Sequence, residues 1–474
     1  MNNLSSATLE ALEPLPSLTP VQKKNAIAKI SKQGIRTSLT ASTIDGILAA
    51  IFSNITSGVL LVNFLLELGA TPVEIGLLSS IPMLVNFLQP LGAFIADRTK
   101  SRHWYVLAIF APSRLLWFIL LLGIAWMGSS KNHQLVTLTL SIIFIANVLS
   151  ALGSSAWFSW MAALVPKQLR GRYFGFRNST ASLTNLLCLP LLGFGISAWP
   201  GGTIQGFGVM LLGGIILGIV SLICQFWMQD VNPQVTHAET LPNPQENKDS
   251  QPQKTSIFKD VNFIKLLLYL GLWTFALNLS APFFNLYMMR DLALDLNTVT
   301  LYTSLAAGAN LVLLVLWGKL ADRIGNRPLL LLVGILMAVT PIFWLFVGVD
   351  SVSLWVLLPT IHLVTGGSIA AIELCSSNIQ MSVAPLDRPS QYFAIAAAVA
   401  GVCGGLGSAF GGFVAGLNII GGLPGLFALS AVLRLIALLP LLFVREPRSR
   451  SIVDIMRNVL PAKSQTTLVS EVEI

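Results

Sequence analysis

The chain has 474 residues, of which 54% are hydrophobic and only 11% charged, and its mean hydropathy is +0.74. Soluble domains carry about 25% charged residues, so this composition excludes a soluble globular enzyme, a disordered chain and a fibrous repeat, and points to lipid as the main solvent. The net charge of +8 does not indicate a nucleic-acid binder, because the basic residues lie between apolar segments rather than in one basic domain.

Residues 1–40 read as a polar N-terminal tail. No compact apolar stretch ending in small residues marks a cleavable leader. Lys23, Lys24, Lys29, Lys32 and Arg36 alternate there with Ile27, Ile30 and Ile35, a pattern expected of a basic amphipathic segment on an anionic leaflet or of a solvated tail. Six apolar segments follow, at 45–69, 73–96, 104–127, 135–165, 174–199 and 204–228. Each is long enough to cross a bilayer, which takes about 20 residues as helix. Helix is the expected form, since backbone groups in lipid must bond within their own segment. Residues 229–257 interrupt the series with Pro233, Pro242, Pro244 and Pro252 among Asn, Gln, Glu and Lys, a polar linker with no means of burying a core. Six further segments lie at 263–289, 299–320, 329–349, 354–383, 392–419 and 423–444, before a C-terminal tail at 447–474. The predicted fold is an all-α membrane protein of twelve transmembrane helices in two six-helix bundles, 41–228 and 258–446.

With the N-terminus placed inside, 24 of the 29 Lys and Arg fall on the inner side. This predicts cytoplasmic termini in an inner or plasma membrane. The four cysteines, Cys188, Cys224, Cys375 and Cys403, sit within apolar runs and form no CxxC pair, so they read as small packing residues. Three Asn-x-Ser/Thr triplets, at Asn54, Asn178 and Asn278, lie in or beside spans and a fourth, at Asn3, in the tail, so glycosylation is not expected.

Three segment pairs recur at nearly one offset. "NITSG" from Asn54 matches "NLSAP" from Asn278, 224 residues on. "AFIADRTKSR" from Ala93 matches "GKLADRIGNR" from Gly318, 225 on. "VPKQLRGRYFGF" from Val165 matches "APLDRPSQYFAI" from Ala384, 219 on. The halves therefore read as repeats meeting around a central cavity. The run "GKLADRIGNR" resembles the loop between the second and third helices of the major facilitator superfamily (MFS). It matches at Gly318, Asp322, Arg323, Gly325 and Arg327. The first copy keeps Asp97, Arg98 and Arg102 but has Ala93 and Lys100 in place of the two glycines. The resemblance implies a secondary transporter working by alternating access, in which these loops act as a latch favouring the outward-open state. The plainer alternative is that the arginines only anchor topology.

Polar groups at membrane depth are candidates for function. Glu373 is the first, as a carboxylate that binds and releases a proton or handles substrate; structural pairing with Arg114, Arg177 or Arg434 is the alternative. His362 lies eleven residues earlier on nearly the same helix face and Gln380 seven later. Asp45 and His362 join Glu373 as proton-coupling candidates, His362 reading equally as a core histidine. Asn54, Asn278 and Asn285 carry amides suited to sugar hydroxyls, or to bonds between helices. Trp157 and Trp160 offer indole faces for a sugar ring or a flat cation, or interface anchors. Arg177 shares a partly polar face with Asn178 and Asn185. No P-loop motif and no cofactor or metal motif is present. The expected function is ion-coupled carriage of a small neutral solute, a sugar or glycoside first, by a monomer that is not an enzyme. Multidrug or metabolite efflux is the runner-up, and a non-transporting membrane sensor or scaffold the reading from another class.

Overall fold

The computed structural model describes residues 32–99, 101–127, 133–165, 170–230, 259–384, 389–417 and 421–446; most of both predicted tails and of the predicted linker lies outside these residues. Twelve helices long and apolar enough to cross a membrane follow in order: α1 Gln33–Glu67, α2 Pro72–Ala96, α3 Arg102–Trp126, α4 His133–Met161, α5 Tyr173–Ser197, α6 Thr203–Gln225, α7 Val261–Asp291, α8 Leu296–Ile324, α9 Asn326–Phe346, α10 Ser353–Val383, α11 Gln391–Leu417 and α12 Gly422–Phe443.

Local chemistry explains their ends. Thr71 and Glu74 form a reciprocal capping box at the start of α2, which satisfies amides that have no partner within the helix. Asp260 accepts from the amides of Asn262 and Phe263 to start α7, and Asp295 accepts from that of Thr298 to start α8. Gly325, at φ +94°, is the single residue joining α8 to α9, a conformation that only glycine adopts without strain.

α1 begins twelve residues before the predicted span. Residues 33–44 are too polar for a hydropathy reading, but Ser38 and Thr43 return their hydroxyl protons to the carbonyls of Gly34 and Leu39, so the helix carries them at little cost. α1 breaks at Ser57 and Gly58, where Gly58 has φ +65°.

Among the described residues, the two bundles pack closely at one end. At the end remote from the linker, α2 lies against α11. Ser408 Oγ donates to the Gly76 carbonyl at 3.2 Å, and a Cβ on Gly76 would stand 3.0 Å from Gly412 Cα. α5 meets α8 at the same end, Gly193 against Thr300. One apolar cluster spans both bundles there, from Ile55 and Phe64 to Phe283 and Phe427. At the linker end the core divides. Trp160, Met161 and Val106 belong to one bundle, and Phe263, Tyr269 and Leu441 to the other. The second half of α2 turns away to pack on α4, Gly92 against Leu152. Among the described residues, the molecule is closed at the remote end and open toward the linker.

Candidate functional site: a neutral cavity beside a buried charge cluster

A cavity of about 420 Å³ lies at mid-depth beneath the closed end, bounded by α1, α2, α3, α4 and α7. Its polar lining is Ser53, Thr56, Ser57, Ser79, Ser113, Ser150, Asn147 and Asn285; Phe52, Trp117 and Pro282 supply apolar walls. Among the described residues, no charged side chain lines it. The break in α1 at Ser57–Gly58 contributes to this wall. Several donors are already spent. Thr56 donates to Phe52 O at 2.9 Å, Ser57 to Ser53 O at 2.6 Å, Ser113 to Ala146 O at 3.0 Å and Asn147 to Ile143 O at 2.8 Å. What these groups offer a ligand is mainly oxygen lone pairs. The Asn285 amide bonds to none of the described residues and supplies both donors and acceptor.

A charge cluster adjoins the cavity toward the linker end. Asp45 of α1 is buried, and its Oδ1 accepts from Ser221 Oγ at 2.5 Å and Gln225 Nε2 at 3.3 Å, both on α6. Its Oδ2 is 3.9 Å from Arg177 Nη2. Arg114 Nη1 donates to Ser221 Oγ at 2.7 Å and to the Gly218 carbonyl. The chain Arg114 to Ser221 to Asp45 joins α3, α6 and α1, so one carboxylate faces two guanidiniums. Arg177 also lies over the Trp157 ring at 4.5 Å and donates from Nε to Ser42 O at 3.3 Å. The Arg114 guanidinium stands 5.6 Å from the Phe52 ring, and Phe52 and Ser113 line the cavity, so cluster and cavity share a wall.

The remaining candidates are dispersed. Asn54 donates to Asn185 Oδ1 at 3.0 Å, tying α1 to α5. Asn278 donates to Thr274 O at 2.9 Å and lies against Gly404 of α11. Trp160 is fully buried, and its Nε1 donates to Gln229 O at 2.9 Å, far from the cavity at the linker end. His362 is buried near the closed end, with Nδ1 2.8 Å from Leu358 O and its ring beside Tyr302 and Trp344. It lies about 16 Å of helix from Glu373. Glu373 pairs with none of the three arginines and bonds to none of the described residues. On α10, Ser376 lies beside Tyr269 of α7, whereas Gly366, Gly367 and Leu374 meet Ala306, Leu313 and Gly318 of α8. Glu373 and Gln380 fall on the arc between those directions, and Glu373 is exposed. Arg434 is fully buried with no carboxylate partner among the described residues; it donates to Met337 O at 2.8 Å, Leu277 O at 3.3 Å and Ser280 Oγ at 2.9 Å.

In the loops, the Asp97 side chain lies outside the described residues. Arg98 stacks on Phe94 at 3.9 Å, and Arg102 is buried. Asp322 and Arg323 are exposed, with no bond to the described residues. Arg327 turns to its own bundle, donating from Nε to Leu441 O at 3.2 Å. Its backbone amide donates to Glu446 at 3.0 Å, and Asn326 Nδ2 donates to the same carboxylate at 2.8 Å. Asp230 accepts from the His103 amide at 3.4 Å in the matching place of the first repeat. Asp230, Glu446, Ser221 and Gln225 were not singled out from the sequence. The one signal for the first two was that an acid recurs just past the last helix of each half, 216 residues apart.

The family model described as Major Facilitator Superfamily matches residues 46–404, and again 274–466. Among solved structures, the D-xylose-proton symporter is 17% identical, with a TM-score of 0.65 over 88% of this chain and 100% of its own. The xylose transporter XylE from E. coli, in an inward open conformation, is 16% identical, with a TM-score of 0.62 over 90% and 99%. The nucleoside transporter NupG is 12% identical, with a TM-score of 0.62 over 87% and 98%. At such identities the likeness is one of fold. Among curated proteins none matches by sequence. With most of its length matched by the family model and its twelve-helix fold shared with these carriers, the chain belongs to the major facilitator superfamily, a multi-pass membrane transporter and not an enzyme.

Proposed function

We propose that this secondary transporter carries a neutral, hydroxyl-rich organic solute, a sugar or glycoside, across the membrane together with protons. The observation that carries the reading is the cavity wall: hydroxyls and amides, four of them with committed donors and Asn285 free to give and accept, no charged side chain among the described residues, and two aromatic faces. Such a wall accepts hydrogen bonds from a ligand's hydroxyls and leaves an ionised ligand without a counter-charge. Coupling is assigned to Asp45, which links three helices beside the cavity, and to Glu373 on α10. The D-xylose-proton symporter of the same fold is a precedent for the pairing of sugar and proton. With both termini in the cytoplasm, the open end faces inward. The disengaged Asp322 and Arg323 then fit a latch released in this state. Export of amphipathic compounds is the second reading, supported by Phe52, Trp117, Leu78 and Ile143 in the same wall.

Proteoliposome uptake of labelled neutral sugars, nucleosides and organic anions, each with and without an inward proton gradient, tests this. Accumulation of a neutral polyhydroxylated solute that collapses with a protonophore is the expected result. Preference for anions overturns the solute assignment, indifference to the pH gradient overturns the coupling, and gradient-driven export of dyes favours the second reading. Absence of flux for every solute favours a sensor.

A further inference from the structure

A groove of about 510 Å³ runs down the outer side of the first bundle at the linker end, between the first turns of α1 and the last turns of α6. Gln33, Arg36, Thr37, Thr40 and Ile44 are all exposed, and their spacing of three and four places them on one face of α1. The opposite face is committed to the bundle. Ser42 bonds to Met161 of α4, Leu39 O accepts from Tyr173 of α5, and Asp45 accepts from α6. The groove therefore looks out at the bilayer and not into the central opening.

Its chemistry changes with depth. Gln33, Arg36, Thr37 and Thr40 come first. Ala41, Ile44 and Cys224 follow, with Trp227 of the α6 end on the other bank, 60% exposed. From Gln33 to Ile44 is about 16 Å along the helix, enough to pass from a headgroup layer into the first methylenes. The Arg36 guanidinium has no acid or carbonyl partner among the described residues. Among the described residues, this cation on the outward face at the start of α1 is flanked by three neutral hydrogen-bonding side chains and has no anion.

We propose that this groove is a binding site for an anionic phospholipid of the adjoining leaflet. Its phosphate pairs with Arg36 and accepts from Gln33, Thr37 and Thr40, and one acyl chain lies along Ile44 toward Cys224 and Trp227. Charge complementarity selects the anionic class, since a zwitterionic headgroup brings no net charge to Arg36. The polar-to-apolar order along one helix face calls for a ligand built the same way, which free phosphate is not.

Native mass spectrometry on the full-length protein, released from detergent containing equal phosphatidylglycerol and phosphatidylcholine, reads this directly. The wild type is expected to retain phosphatidylglycerol in preference. Arg36→Ala should lower that preference about fivefold, the size expected for one arginine near a charged leaflet, and leave phosphatidylcholine retention unchanged. Thr40→Trp fills the groove without touching the charge and should lower phosphatidylglycerol retention as well. Equal retention of both lipids by the wild type overturns the proposal, as does an Arg36→Ala protein that keeps the preference. Loss in Arg36→Ala with full retention in Thr40→Trp overturns the groove as the seat. Complete displacement by millimolar inorganic phosphate overturns the lipid and leaves a bare anion site.

Discussion

The seam between α2 and α11 is built so that one methyl group biases the conformational equilibrium. A Cβ on Gly76 would stand 2.8 Å from Ser408 O, 3.0 Å from Gly412 Cα and 3.3 Å from Gly412 N, all backbone atoms that cannot rotate away. A Cβ on Gly412 would meet Pro72 O at 2.8 Å and the Cα atoms of Gly76 and Val73 at 3.2 Å. Overpacking of this kind costs about 1–3 kcal/mol, and here the cost falls only on the state in which the seam is shut. Gly76→Ala should therefore cut the population of that state relative to its alternative by about 5- to 150-fold. Within the helix alone the same change is mildly favourable, so insertion and folding are spared. The readout is two-sided labelling of Asn285→Cys, at the cavity wall, by an impermeant thiol reagent in a background with the four native cysteines replaced by alanine. Gly76→Ala should raise labelling from the remote side and lower it from the linker side. Gly213→Ala is the control, since nothing stands within 4 Å of its Cβ. An unchanged labelling ratio in a correctly inserted Gly76→Ala protein refutes the seam as the seal.

Four further outcomes are expected. Asp45→Asn leaves Arg114 and Arg177 without their shared counter-charge, a loss of about 3–5 kcal/mol for a broken buried pair; adding Arg177→Gln should recover part of the melting temperature, and no recovery means the two do not interact. Asn285→Asp puts a charge in the neutral wall and should raise KM for a neutral solute at least tenfold at neutral pH, with Asn285→Gln milder; equal effects would separate the result from charge. Glu446→Gln weakens the acceptor for the Arg327 amide and Asn326 at the start of α9 and should cost about 1 kcal/mol of stability, seen as a lowered melting temperature. Asp322→Asn should slow cycling while leaving membrane insertion intact; unchanged transport kinetics would remove the latch from the mechanism.

Much of the architecture was legible because lipid leaves a chain few options. Runs of about 20 apolar residues must be helices there, so their number and order followed from length alone, and the polar linker and common offset divided them into two sets of six. The start of α1 was misjudged for the same reason: hydropathy counts Ser38 and Thr43 as polar, whereas in the helix their hydroxyls bond back to the backbone one turn earlier. The site was less legible. Glu373 stood out as an isolated acid, yet Asp45, set at the edge of a span by the hydropathy reading, is the carboxylate that binds three helices together.

What the amino-acid order determined is what depends on one helix at a time: that each apolar run is a membrane-spanning helix, roughly where it lies, and its place in a repeated series. What only the tertiary structure decided is which faces meet. These helices are apolar nearly all round, and in lipid the hydrophobic effect does not choose a contact face; close packing and scattered hydrogen bonds do. That Ser221 bridges Arg114 to Asp45, that Gly76 receives Gly412, and that a neutral cavity opens beside them are relations between residues far apart in the chain, and no periodicity within a single segment encodes them.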